Sequence, residues 1–416
     1  VKRSRIDGAI DAMAAIAFAG VAWLAVFGHR GLAPCAGFLA LGVAMRREVW
    51  TEGLKLIAPP KAWRDPLAIA AIAMAAFSAW IGVTALWSPT PGGIWLGLTA
   101  LVSALAAGAL VFEASRANTI RSRRFAAMFA LSVTAASLAL LFEGLTGGYL
   151  RAVLPPDDHS ALRFKDLTAL GRGVTAAATL AFPAAVLLRA LTGSWIIAFA
   201  PAAALLVAAT EFSVFANVIA IAAGALAFFA AHAAPKTTIK GAAVLFLAGL
   251  LLSPFIAAAI PVDCLLEAGA LPPSWSQRLI LWNAVADRAL GECFPLGCGA
   301  DFARTWWSAT AMIELPGYPI ALPLVPVHPH NVFLQIWLEL GVPGVLLFGV
   351  ALSAGAARLA AADLDRSTIA ATAAIAALAF ISVMFEASLW QVWRIAVFAL
   401  AAFGGAVSYS INKSKQ

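Results

Sequence analysis

The stretch His328-Pro-His-Asn-Val-Phe-Leu-Gln-Ile-Trp-Leu-Glu-Leu-Gly341 decides the fold. From Asn331 the chain stays apolar to about residue 352, close to the roughly 20 residues that a membrane-spanning helix needs. Asn331, Gln335 and Glu339 interrupt the run at intervals of four, so they line one face of a helix. Polar groups at membrane depth belong against a bundle interior or a wet cavity. The stretch therefore reads as one span of a polytopic all-α membrane protein, with His330 at or just before the helix N-terminus.

The rest of the chain agrees. Of 416 residues, 62% are hydrophobic and 12% charged, and the mean hydropathy is +0.90. Soluble proteins carry about 25% charged residues, so this composition excludes a soluble globular enzyme and a disordered chain alike. Twelve apolar stretches can be marked, at about 8–27, 31–45, 66–87, 93–112, 125–145, 172–190, 195–210, 214–232, 241–260, 331–352, 368–386 and 388–409. The second and seventh are the shortest. Alanine richness suits close helix packing in lipid.

Orientation follows from the basic residues. With the N-terminus inside, nineteen Lys and Arg fall in inner segments and nine in outer ones, which predicts cytoplasmic termini. The net charge of +7 is then read as basic cytoplasmic loops, with no nucleic-acid partner. Lys2, Arg3 and Arg5 before the first span, with no small-residue cleavage site, read as a cytoplasmic flank and not a signal peptide. The 1–416 chain reads as a single integral membrane domain. Two outer loops are long, at about 147–171 and 261–330. They place the working residues on the outer face. Within the second loop, Trp275, Leu279, Trp282, Ala286 and Ala289 recur at helical spacing. They predict an amphipathic helix near 275–290 suited to the membrane interface.

The histidine block carries the chemistry. The positive end of the helix dipole beside His330 disfavours imidazolium and attracts a phosphate. A neutral histidine next to an anion site is what a general base requires. The plainer alternative is that His330 and Asn331 only cap the helix. Outer arginines are the candidate phosphate clamps, because a planar guanidinium fork matches phosphate oxygens. They are Arg278 on the amphipathic helix, Arg172 where the first long loop enters the sixth span, and Arg304 after Gly297-Cys-Gly-Ala-Asp301. Arg288, with Asp287 and Glu292 nearby, reads as a structural ion pair, as does Arg394 with Glu386.

No metal site is expected. Asp363-Leu-Asp365 maps to the inner side, and Asp157-Asp158-His159 reads as a solvated loop more than a cation site. No nucleotide-binding loop, GxSxG or HExxH pattern is present. Cys35 reads as core. For Cys264, Cys293 and Cys298 buried thiols are the favoured reading, with one disulfide as the alternative.

These blocks resemble the O-antigen ligase/polymerase family of bacterial envelope glycosyltransferases. Ser276-Gln-Arg-Leu-Ile-Leu-Trp282 followed by Pro295-Leu-Gly-Cys-Gly-Ala-Asp301 is similar to the family's arginine, tryptophan and proline–glycine–x–glycine pattern. His328-Pro-His-Asn-Val-Phe-Leu-Gln335 with Glu339-Leu-Gly341 is similar to its histidine–asparagine–leucine–glutamine signature. Arg172-Gly before an apolar span containing Pro183 is a weaker third block. The resemblance implies a GT-C-like enzyme of about 12 transmembrane helices in the bacterial inner membrane, with a large periplasmic loop between helices 9 and 10. It implies a glycan donor linked to undecaprenyl pyrophosphate, no cofactor, and catalytic His330 and Arg278. Substrate contacts are expected from Arg172, Arg304, Asn331, Gln335 and His328. A further family arginine is absent from Thr210-Glu-Phe-Ser-Val-Phe-Ala-Asn217, and Arg172 is the candidate in its place. The acceptor would be lipid A–core for a ligase or a second lipid-linked repeat for a polymerase. A lipid-linked glycan transporter is the rival class.

Overall fold

The computed structural model describes residues 5–57, 64–153, 162–267, 271–306, 312–314 and 321–413. The chain is an all-α bundle: α1 Arg5–Phe27, α2 Leu32–Ala44, α3 Arg47–Ile57, α4 Pro66–Thr84, α5 Gly93–Arg116, α6 Thr119–Thr146, α7 Leu162–Thr192, α8 Trp195–Glu211, α9 Phe215–Ala233, α10 Pro235–Ala258, α11 Val262–Glu267, α12 Pro273–Leu290, α13 Phe302–Trp306, α14 Val332–Ala361, α15 Arg366–Phe385 and α16 Val392–Lys413. A small hairpin pairs β1 Met312–Ile313 with β2 Leu322–Pro323.

All twelve apolar stretches form helices. Ten helices among the described residues are long and apolar enough to cross a membrane. The other two are those the sequence marked as short, α2 with 13 residues and α8 with 17. Lipid-type side chains such as Ile196, Leu226 and Leu86 point outward and exposed. Small residues sit where helices touch. A Cβ on Gly404 would come 2.7 Å from Phe129, and one on Gly224 would come 2.7 Å from Phe182. Such close approach is how helices associate in lipid, where burial itself supplies little driving force.

Local signals start the helices where expected. Asp65, Asn118, Ser194 and Asp365 each cap a helix by accepting from backbone amides in its first turn. Asp365, half of the Asp363-Leu-Asp365 pattern, is thereby a cap. At the end of the bundle holding the N-terminus of α1, Arg121 pairs with Asp11 at 2.9 Å and Glu113 at 2.7 Å. Arg46 pairs with Glu113 at 2.6 Å and also with Asp7. This buried network ties α1, α2, α5 and α6 at one end and leaves the opposite end for the site.

Two differences from expectation concern that opposite end. α7 begins at Leu162, ten residues before the predicted span, so Arg172 lies inside a helix and not at its mouth. The second is the disulfide: Cys293 and Cys298 are bonded, and Cys264 is a free, exposed thiol. The favoured expectation of buried thiols is thus corrected for this pair, which the five-residue turn brings together. Cys35 is partly buried against the core. Asp157, Asp158 and His159 lie outside the described residues.

Candidate active site

Two apolar cores build the bundle. One gathers α1, α2, α5–α9, α15 and α16. The other gathers α4, α10, α12, α14 and the turn from Cys293 to Ala303. The candidate site lies where they meet, at the end opposite the ion network.

From the second core comes the histidine block. Asn331 caps α14, its Oδ1 accepting from the amides of Phe333 at 3.0 Å and Leu334 at 3.1 Å. His330 precedes the cap with φ +56°, a left-handed conformation uncommon outside glycine. Its amide donates to Nδ1 of His328 at 3.2 Å, and the two rings lie 4.3 Å apart. The loop is pinned from α12, where Trp282 Nε1 donates to the Pro329 carbonyl at 3.0 Å. The apolar face of α12 is covered by protein: Trp282, Val285, Ala286 and Ala289 are buried in the second core.

Burial, the neighbouring His328 and the charges of Arg278 and Arg394 hold His330 well below the usual imidazole value; only the Glu386 backbone carbonyl opposes this. Burial and the charges of Arg394, Arg172 and Arg304 bring His328 down to about 4. Both rings are therefore neutral at pH 7.

The polar stripe on α14 continues as a scaffold. Gln335 is fully buried, its Nε2 donating to Glu339 at 3.1 Å and its Oε1 accepting from the Leu389 amide at 2.8 Å. Glu339, also fully buried, accepts from the amides of Asp301 at 2.8 Å and Ala303 at 3.3 Å and from Trp390 Nε1 at 2.8 Å. Its carboxylate thus fastens the 297–303 turn and the α15–α16 connection to one helix.

The glycines explain how that turn fits. Gly341 breaks the helical backbone of α14 with φ +61°. The break frees carbonyls: Leu338 accepts from the Cys298 amide at 2.8 Å, Glu339 from Gly299 at 3.0 Å and Leu340 from Trp80 Nε1 at 2.8 Å. A Cβ on Gly341 would overlap the Pro295 carbonyl.

From the first core come cations. Arg172 sits on α7 between two glycines, and a Cβ on Gly173 would overlap the Ala25 carbonyl, so α7 crosses the end of α1 in backbone contact. Asn217, in the segment that lacks the family arginine, donates to the Gly171 carbonyl at 2.9 Å and accepts from Thr175 at 2.9 Å. It therefore holds the turn of α7 that carries Arg172. Arg394, buried on α16, pairs with Glu386 at 3.2 Å, as the sequence suggested. Glu386 also accepts from Thr175 and lies within electrostatic reach of Arg172 and Arg278.

Arg278 projects from α12, donates to the Ser274 carbonyl at 3.1 Å and stacks over Trp275. Its Nε is buried with no partner among the described residues. Burial lowers its pKa, and Glu386 opposes that. Arg304 stands at the rim, 56% exposed and paired with Asp301 at 2.5 Å. Arg288 pairs with Glu292 at 2.6 Å and stacks on Trp306, the structural role expected of it.

Arg172, Arg278, Arg394 and His330 thus lie within electrostatic reach of Glu386, and His328 lies within reach of Arg394, Arg172 and Arg304. Asn331 and Gln335 support the site through backbone contacts. Sequence reading missed Glu386 as a central acid, and it missed His29, which lies within reach of Arg172 and Arg394. No sequence spacing signals either. Among the described residues, no group of three or more His, Cys, Asp or Glu side chains is placed to hold a metal ion.

Comparison with known proteins supports the block reading. The O-antigen ligase family model matches residues 167–349. The chain is similar to proteins named "putative polysaccharide ligase" from three rickettsiae. The identity is 34% over 135 residues with Rickettsia typhi, covering 32% of this chain and 33% of that one. It is 36% over 129 residues with Rickettsia prowazekii, covering 30% and 31%. With Rickettsia conorii it is 36% over 111 residues, covering 26% of each. The matched stretch spans about a third of the first two relatives' length. No solved structure matches.

Proposed function

We propose that the chain is a glycosyltransferase moving a glycan from undecaprenyl pyrophosphate to the lipid A–core, by inversion; the match of residues 167–349 to the O-antigen ligase family model supports this. The observation that carries this reading is a neutral imidazole, His330, half-buried at the end of the bundle and within electrostatic reach of the Arg278 and Arg394 guanidiniums. A base and an anion clamp side by side are what displacement of a sugar diphosphate requires.

In this reading the polyprenyl tail stays in lipid and the diphosphate enters the arginine cluster. One ring nitrogen of the neutral His330 carries the proton, and the other is the base. That nitrogen takes the proton of the acceptor hydroxyl. The hydroxyl oxygen bonds to the anomeric carbon as the carbon–oxygen bond to the diphosphate breaks. The diphosphate leaves with the bonding electrons, and Arg278 and Arg172 stabilise the growing charge. His328 and Asn331 position His330. Arg304 meets substrate at the rim. The protein works in the inner membrane with this end toward the periplasm and both termini in the cytoplasm, and residues 261–330 form the large periplasmic loop. The Cys293–Cys298 bond suits that oxidising side.

The second reading is a polymerase, for which a second lipid-linked repeat is the acceptor. The same resemblance supports it. The test is a lipopolysaccharide gel of the host lacking the gene, complemented with wild type or His330→Ala. Core alone, with lipid-linked polymer accumulating, supports the ligase. Core bearing a single repeat supports the polymerase. An unchanged ladder overturns both and returns the transporter class.

A further inference from the structure

The connection between α1 and α2 lies outside the matched domain, yet it reaches the site. Its short 3-10 turn, His29–Gly31, carries a buried histidine and an exposed arginine. His29 is 6% exposed, and its ring stands edge-on to Trp393 at 4.8 Å. Arg394 stacks on that same Trp393 at 4.7 Å. Neither ring nitrogen of His29 has a hydrogen-bond partner among the described residues. A buried polar group left unpaired costs about 1–3 kcal/mol, so such a group calls for an explanation.

The charges around it are all of one sign. Arg172, Arg30, Arg394 and Arg151 act on His29, and with burial they bring its pKa down to about 4. Two of the four are engaged: Arg394 with Glu386 at 3.2 Å, and Arg151 with the Val26 carbonyl at 2.9 Å. Arg30 and Arg172 have no ion-pair partner among the described residues. The backbone contact of Gly173 with Ala25 fixes α7, and so Arg172, against the end of α1. A neutral ring with an idle donor and acceptor therefore lies within electrostatic reach of two guanidiniums that have no ion-pair partner among the described residues.

We propose that His29 and Arg30 extend the phosphate-binding site on the far side of Arg172, forming with it a subsite beside the histidine pair. Two planar forks and an imidazole N–H match a phosphoryl group. The group is either the diphosphate of the lipid-linked donor or a phosphate on the acceptor. That assignment rests on the transferase reading; the phosphate chemistry does not.

The test is isothermal titration of the purified full chain in lipid nanodiscs with inorganic pyrophosphate. Arg30→Gln and His29→Ala are each expected to raise Kd about tenfold. Arg288→Ala is expected to leave it unchanged. Arg30 is exposed, so its variant folds even where His29→Ala fails to. No binding by wild type, or equal binding by Arg30→Gln, overturns the subsite. Initial rates of transfer then separate the sources: a raised KM for donor alone places the diphosphate here, and one for acceptor alone places the acceptor phosphate. An unchanged KM for both substrates also overturns it. Absence of transfer by wild type counts against the transferase reading and leaves the titration to judge the subsite.

Discussion

The backbone amide of His330 donates to the Nδ1 of His328, two residues earlier, and this bond closes a tight turn with φ +56° at His330. The turn sets the two imidazole rings 4.3 Å apart just ahead of α14, which Asn331 caps. A left-handed conformation at a non-glycine residue costs of order 1–3 kcal/mol and persists only where neighbours enforce it. His328→Ala removes the acceptor. It is expected to lower kcat at least tenfold while KM for donor changes little. His328→Asn, which can still accept from the amide, should recover part of the rate.

Glu339 joins three elements through one carboxylate. Glu339→Gln places an amide NH2 where backbone amides and Trp390 all donate. An unsatisfied buried donor costs about 1–3 kcal/mol. Thermal unfolding in detergent should show a clearly lowered Tm, with activity falling in proportion to the folded fraction.

Gly341→Ala should be worse. The side chain would overlap the Pro295 carbonyl, and φ +61° disfavours any L-residue there. The expected result is loss of folded protein, read by size-exclusion chromatography. Gly355→Ala, on the same helix with open space around it, should behave as wild type.

The spans were legible in the sequence because lipid leaves a simple signature, long apolar runs with basic inner flanks. The start of α7 was not, because residues 162–171 include Arg163, Lys165 and Asp166, which hydropathy reads as loop. The histidine block and Arg278 could be picked out because their polarity is conspicuous in an apolar chain. Glu386 could be picked out only as the partner of Arg394, and His29 not at all. They reach the site only because α15 and the α1–α2 turn end beside α7 and α16, and that is a fact of packing. The tryptophans of α12 looked fit for a membrane interface. Trp282 instead donates to Pro329, which no periodicity can distinguish from exposure to lipid headgroups.

The buried imidazoles set the acid response. His29 and His328 have folded pKa values of about 4, below the ordinary 6.5. Between these values the unfolded chain binds protons that the folded one refuses, so stability is full above about pH 6.5 and declines as pH falls toward 4. Unfolding at stepped pH should show that slope. His330 is held low as well, so the acid limb of kcat/KM should lie below pH 6.5.

Arg278 and Arg288 lie ten residues apart on α12 and should separate cleanly. Arg278→Ala is expected to cut transfer about a hundredfold or more, the scale of losing one group that stabilises developing charge. Arg288→Ala removes a half-exposed pair with Glu292 and is expected to cost at most about 1 kcal/mol of stability, with the rate unchanged.

The most direct measurement is single-turnover glycan transfer by purified protein in nanodiscs, with lipid-linked donor and lipid A–core acceptor, comparing wild type with His330→Ala. If His330 is the base, the variant still binds pyrophosphate and its rate falls by about 10²–10⁴. A variant that transfers within about threefold of wild type would contradict the account, because the neutral ring would then be a cap and the proton would leave by another group.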